Sequence, residues 1–259
     1  MTDSLYSEVT GHGENVVLLH GWGMHGGLWG SFNEILSNSF MTHAIDLPGF
    51  GYSKSLKSNF TLDAITEDIE EYIQRIGQPV NLIGWSLGGL ITLNILKRNN
   101  INLNKIILIS TTPCFTKKTG WLNAIDQSVF DVFSTDLQHD YKKTLKRFLS
   151  LQTRGSDLAR DDLRVLNQKL TVRGDPDIQA LKNGLNILSE TDFRDITGNN
   201  IPAMIVLGEK DTLVPLPVKD EFEKIFPACE KLILEKTGHA PFISKPEICA
   251  EKIKNFING

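Results

Sequence analysis

At 259 residues, near the upper limit for one hydrophobic core, with 41% of them apolar and 22% charged, the chain has the composition of a globular protein, which excludes a disordered one. A net charge of −4 argues against a surface that binds nucleic acid non-specifically. Cys114, Cys229 and Cys249 are far apart and odd in number; they offer neither a disulfide framework nor metal-ligand spacing, and read as free thiols in a reducing compartment.

The N-terminus, Met1-Thr2-Asp3-Ser4-Leu5-Tyr6-Ser7-Glu8, lacks the basic start and apolar core of a secretion signal, and a short strand is expected near residues 4–9. No apolar run approaches the roughly 20 residues needed to span a bilayer, so a soluble cytoplasmic protein without membrane contact is expected. Val16-Val17-Leu18-Leu19 predicts a buried strand over 16–20 that runs into His20-Gly21-Trp22-Gly23. Further strands are expected near 41–45, 80–83, 105–110, 203–207 and 231–234. They alternate with helical stretches, the signature of βαβ units and a mostly parallel sheet. The Pro and Gly residues of Asp46-Leu47-Pro48-Gly49-Phe50-Gly51-Tyr52-Ser53 mark a tight loop. Gly49-x-Gly51 lacks the third glycine opening a helix, so it is not a dinucleotide site. From Pro113 to about Glu190 the strand rhythm stops, and patterns such as Tyr141–Leu149 are helical. An insertion this long needs structure and a purpose. Residues 113–190 are therefore expected to form a helical cap over a core made of 1–112 and 191–259.

Gly84-Trp85-Ser86-Leu87-Gly88 lies between the apolar run Val80-Asn81-Leu82-Ile83 and a helix-prone segment. Gly-x-Ser-x-Gly in that setting is a nucleophile elbow, a strained turn whose small flanking residues let strand and helix pass closely. Asp211 follows the strand ending at Leu207, and His239 follows the strand ending at Leu234. Both sit in loops at carboxyl ends of parallel strands, where open α/β sheets place their sites. The order Ser, Asp, His is that of α/β-hydrolase triads. Ser86 is then the nucleophile, His239 the general base and Asp211 the residue that orients the imidazole. The backbone amides of Trp22 and Leu87 would bind the oxyanion, and neither a metal nor an organic cofactor is needed. Asp46 is the competing acid, but it comes too early in the chain order. His20 reads as a hydrogen-bonding residue of its turn; His12, His25, His43 and His139 read as surface or structural.

The expected insertion carries 12 Lys and Arg against 10 Asp and Glu, leaving −6 for the remainder of the chain. Lys142, Lys143, Lys146 and Arg147 share about one side of a helix, and Arg160 and Arg164 are four apart. Such a face suits an acidic partner, or it is a solvated face balanced by neighbouring aspartates.

Most of the chain resembles the carboxylesterases of biotin synthesis, the pimeloyl-acyl-carrier-protein methyl ester esterases. The resemblance runs through Leu18–Met24, Asp46–Ser53, Gly84–Leu90, Pro113-Cys114-Phe115, Arg147–Thr153 and His239-Ala240-Pro241-Phe242-Ile243-Ser244. The Phe148–Gln152 and His239–Ser244 stretches are its more specific parts. It implies an α/β-hydrolase fold with a helical cap inserted before the strand that carries the acid. It also implies hydrolysis of the methyl ester on a pimeloyl chain carried by acyl carrier protein, through an acyl-enzyme and without a cofactor; a monomer is expected. By resemblance, Trp22, Ser86, Leu87, Phe148, Leu149, Ser150, Leu151, Gln152 and His239 line the substrate site. Lys143, Arg147, Arg160 and Arg164 match the basic residues that meet the carrier protein, although Lys143 stands where the family pattern has arginine. Rival readings are a general short-chain esterase, a carbon–carbon bond hydrolase of the same fold, and a ligand receptor without turnover.

Overall fold

The computed structural model describes residues 5–53, 60–77 and 79–259. Seven strands form one sheet: β1 (Ser7–Gly11), β2 (Asn15–Leu19), β3 (Met41–Ile45), β4 (Val80–Trp85), β5 (Leu103–Ile109), β6 (Ala203–Gly208) and β7 (Glu230–Leu234). Their order is β1-β3-β2-β4-β5-β6-β7. β1 runs antiparallel to β3, and every other pairing is parallel. β2, β4 and β6 are buried along their whole length, as expected for strands covered on both faces. The N-terminal strand begins later than expected, because its register with β3 runs from Ser7 opposite Ile45 to Gly11 opposite Met41. Ser4, the first residue expected in that strand, lies outside the described residues together with Met1–Asp3.

Helices α1 (Gly30–Ser37), α2 (Leu62–Ile76) and α3 (Leu87–Arg98) flank the first half of the sheet. α2 opens on the Thr61 hydroxyl, which accepts from Ala64 N–H at 3.2 Å, and closes on Gly77 in the left-handed region. Between β5 and β6 the chain leaves the sheet and forms α4 (Gln127–His139), α5 (Tyr141–Gln152), α6 (Ala159–Lys169) and α7 (Ile178–Glu190). α8 (Val218–Ile225), α9 (Pro241–Ser244) and α10 (Pro246–Asn258) complete the chain. Proline caps or opens each of these three, matching its preset φ to a helix start.

The inserted helices are tied to the sheet through buried charge. Arg173, in the segment after α6, donates to Asp46 Oδ1 at 2.9 Å and also pairs with Glu8. Its guanidinium lies against the rings of Tyr6 and Tyr52, 5.1 and 5.5 Å from their centroids. Among the described residues no helix is long and apolar enough to cross a membrane.

Candidate active site

β4 ends at Trp85 and α3 starts at Leu87, so the whole strand-to-helix reversal falls on Ser86. Its backbone is driven to φ 53°, ψ −111°, a conformation that costs a residue with a Cβ roughly 1–3 kcal/mol. The turn closes only because its flanks are bare. A Cβ on Gly84 would stand 2.5 Å from the Gly88 carbonyl oxygen, and one on Gly88 would stand 2.2 Å from the Leu19 carbonyl oxygen. The strained residue is held from below: Ser86 N–H donates to the Ile109 carbonyl at 3.0 Å, and the Thr111 hydroxyl donates to the Ser86 carbonyl at 3.3 Å.

The loops after β6 and β7 bring Asp211 and His239 to this turn. Asp211 Oδ1 accepts from the backbone amides of Leu213 (2.8 Å) and Val214 (3.0 Å), which fixes the carboxylate plane. Its Oδ2 lies 2.8 Å from His239 Nδ1, and His239 Nε2 lies 3.0 Å from Ser86 Oγ. An ionised carboxylate accepts only, so Nδ1 carries the ring proton and Nε2 presents a lone pair to the serine hydroxyl. Ser86, His239 and Asp211 are all buried, so water competes little for these bonds.

His20 supports the loop on the other side of Ser86. Its Nε2 accepts from Leu47 N–H at 2.9 Å, so its Nδ1 donates to the Gly21 carbonyl at 2.8 Å. That carbonyl belongs to the same planar peptide as Trp22 N–H, so the imidazole sets the direction of that amide. Complete burial pushes the His20 pKa down to about 3, keeping the ring neutral and able to both donate and accept. Leu87 is the first residue of α3, where backbone amides have no partner within the helix.

The inserted helices meet these loops directly. Trp22 Nε1 donates to the Leu181 carbonyl of α7 at 2.8 Å, and its ring packs edge-on against Phe148 of α5 at 4.8 Å. Phe148, Leu149 and Gln152 lie on the buried stripe of α5, and Leu151 is half-buried. Ser150 faces outward, its hydroxyl donating to the Lys146 carbonyl at 3.0 Å. Both side-chain polar atoms of Gln152 are buried without a hydrogen-bond partner among the described residues, while its carbonyl accepts from His239 N–H at 2.8 Å.

Of the expected basic face, Arg147 pairs with Asp136 at 2.7 Å over the Phe133 ring, and Arg164 pairs with Asp161 at 3.1 Å. Lys142 pairs with Asp175 at 3.0 Å. Lys143 and Arg160 are exposed and carry no ion pair among the described residues. Asp46 is committed elsewhere: Oδ1 takes Gly26 N–H (2.6 Å) and Arg173, and Oδ2 takes Tyr52 N–H (2.8 Å). His25 and His43 are buried and hydrogen-bonded, whereas His12 and His139 are exposed.

Sequence reasoning gave Trp85 no part in the site. Its indole N–H donates to the His239 carbonyl at 2.8 Å, and its ring lies 5.8 Å from the imidazole, bracing the histidine from the sheet side. The rarity of tryptophan inside the Gly-x-Ser-x-Gly turn was the available signal. Among the described residues no cluster of three or more His, Cys, Asp or Glu side chains is arranged to hold a metal ion.

Both the sequence and the fold match known proteins. A family model described as the alpha/beta hydrolase fold matches residues 14–246. A pimeloyl-[acyl-carrier protein] methyl ester esterase of Aeromonas hydrophila is 37% identical, the match covering 98% of this chain and 99% of the relative. One of the same name from Aliivibrio fischeri is 33% identical over 100% and 99%. An esterase structure from Exiguobacterium antarcticum superposes with a TM-score of 0.87 at 23% identity, covering 98% and 96%, a likeness of fold. The chain therefore belongs to the α/β-hydrolase family and, within it, to the family of the pimeloyl-[acyl-carrier protein] methyl ester esterases.

Proposed function

We propose that this chain is a serine carboxylesterase that cleaves the methyl ester of pimeloyl-acyl-carrier protein, releasing methanol and the free carboxylate in biotin synthesis. The observation that carries the chemistry is the continuous relay from Asp211 Oδ2 through His239 to Ser86 Oγ, with bonds of 2.8 and 3.0 Å. The near-full-length relatives carry the choice of substrate.

His239 Nε2 accepts the Ser86 proton as Oγ attacks the ester carbonyl, and the imidazolium that forms is stabilised by Asp211. The amides of Trp22 and Leu87 receive the oxyanion. Collapse of the tetrahedral intermediate expels methanol, which takes its proton from His239, and leaves the pimeloyl chain esterified to Ser86. Water, deprotonated by His239, then cleaves that ester and restores the serine. No cofactor takes part.

Residues 113–190 form a cap over the remaining core. Within it Phe148, Leu149 and Leu151 supply apolar surface for the acyl chain; Ser150, on the outer face, is assigned with them by the resemblance alone. The Gln152 amide supplies polar atoms for a carbonyl, since a buried amide without partners costs about 1–3 kcal/mol until a ligand satisfies it. Lys143, Arg147, Arg160 and Arg164 meet the acidic carrier protein. Arg147 and Arg164 must exchange or share their aspartate partners on docking, whereas Lys143 and Arg160, without an ion pair among the described residues, can engage directly. The enzyme works as a cytoplasmic monomer; the free thiols of Cys114, Cys229 and Cys249 support a reducing compartment.

Methanol release from pimeloyl-acyl-carrier-protein methyl ester tests the whole reading. Ser86→Ala is expected to lose activity by roughly 10⁶-fold. Arg147→Glu with Arg160→Glu is expected to impair the carrier-bound substrate selectively while small esters are cleaved as before. Equal cleavage of small and carrier-bound esters by wild type and by the double variant would leave a general short-chain esterase.

A further inference from the structure

The segment that carries His239 is fastened to the insertion by bonds that are not part of the relay. Asp157 N–H donates to the Lys236 carbonyl at 3.1 Å and His239 N–H to the Gln152 carbonyl at 2.8 Å. The Ser244 hydroxyl donates to Asp162 Oδ2 at 2.6 Å. Residues 152–162, from the end of α5 into α6, thus bracket residues 236–244. The close approach depends on Gly238, where a Cβ would stand 2.7 Å from the Gln152 carbonyl oxygen. On the opposite side Trp85 holds the His239 carbonyl. The backbone of the histidine is therefore gripped by the sheet at its C=O and by the insertion at its N–H.

Asp162 is the expensive part of this arrangement. It is 4% exposed, and a buried carboxylate is costly unless its oxygens are bonded. Oδ2 accepts from two hydroxyls, Ser244 at 2.6 Å and Ser156 at 2.9 Å, and Ser156 Oγ in turn accepts from Leu158 N–H at 3.1 Å. Burial raises the carboxyl pKa and the two serine bonds oppose that shift. Packing alone would be served as well by an apolar side chain. What the carboxylate adds is a directed attachment, linking α6 to the last residue of α9, five positions beyond His239.

We infer that Asp162 and Ser244 are positioning residues for His239, holding its loop against the insertion so that Nε2 stays within reach of Ser86 Oγ. This rests on the reading of His239 as the general base. The insertion then sets the geometry of the base as well as covering the site, and loosening it lowers turnover on every ester.

Ser156 provides the control, because its bond to Asp162 stays inside the insertion. Kinetics on p-nitrophenyl butyrate, with thermal melts in parallel, separate the two roles. Ser244→Ala is expected to lower kcat roughly three- to tenfold, with KM and melting temperature near wild type. Asp162→Asn keeps an oxygen that accepts from the serine and is expected to stay within about twofold of wild type, whereas Asp162→Ala falls at least as far as Ser244→Ala. Ser156→Ala is expected to keep wild-type kcat. Wild-type kcat in Ser244→Ala, or an equal loss in Ser156→Ala, would overturn the inference. Ser86→Ala run alongside distinguishes the layers: activity surviving in it would sink the triad reading itself.

Discussion

Every residue of β2, β4 and β6 is buried, whereas α5 buries only the stripe Thr144, Leu145, Phe148, Leu149 and Gln152, and α6 buries only Asp162 and Leu166. The sheet places its chemistry by close packing: backbone strain at Ser86 is sustained because strands and helix on either side cannot move apart. The inserted helices instead place theirs through a few polar ties, Arg173 to Asp46, Gln152 to His239 and Ser244 to Asp162. Changes in the sheet's loops should therefore strike the chemical step on any ester. Changes on the outer faces of the insertion should strike only substrates that reach those faces.

The largest break in that contrast comes from Asp211→Asn. An asparagine amide facing Nδ1 favours the ring tautomer that carries its proton on Nε2, where the serine needs an acceptor. The expected loss in kcat is about 10⁴-fold, on small and carrier-bound esters alike. Steady-state kinetics on both substrates check it. A loss under 100-fold would mean that another acid takes over, and Asp46, already bonded to Gly26, Tyr52 and Arg173, is not free to do so.

His20 sharpens the contrast, because it follows directly on β2 and acts through one peptide bond. His20→Asn puts its amide near the Nδ1 position, where the NH2 can donate to the Gly21 carbonyl. His20→Gln puts its amide near the Nε2 position, where the oxygen can accept from Leu47 N–H but the NH2 lies away from Gly21. The expected outcome is a roughly 10–100-fold lower kcat for Gln than for Asn, with similar KM, since in the proposed mechanism only the transition state uses the Trp22 amide. The same residue gives a pH signature. Its folded pKa, about 3, lies below the unfolded value of 6.5, so the unfolded chain binds the extra proton first. Its stabilising effect is complete above about pH 6.5 and is lost as pH falls toward 3, at a cost on the order of a few kcal/mol. Thermal melts of His20→Asn should show a flatter acid limb than wild type.

These outcomes also mark how far the sequence could be read. The six parallel strands were legible as runs continuous in sequence, whereas the antiparallel edge strand β1 was expected too early because half-exposed residues carry a weaker pattern. Ser86, Asp211 and His239 were legible from a local turn and from chain order. The ties that hold them were not. Asp162 and Ser244 are 82 residues apart, and Asp46 and Arg173 are 127 apart. Periodicity reports which face of an element is buried, not which partner waits there. The same limit governs charge: Lys142, Arg147 and Arg164 looked alike as a basic face, yet each has an aspartate beside it.

The smallest expected effect lies on that outer face. Lys143 is exposed at the start of α5 and carries no ion pair among the described residues, so replacing it disturbs no packing. An arginine there would offer the planar fork that binds carboxylate or phosphate through two bonds, where lysine offers a point charge. Exposed pairs are worth about 0.2–1 kcal/mol, so Lys143→Arg should lower KM for the carrier-bound ester by no more than roughly fivefold. That gain should shrink as salt rises, because a contact between exposed charges is screened. Cleavage of p-nitrophenyl butyrate should not change at any salt concentration. A KM improvement that persists in high salt, or that extends to the small ester, would place Lys143 in the acyl site and erase the division between the two regions.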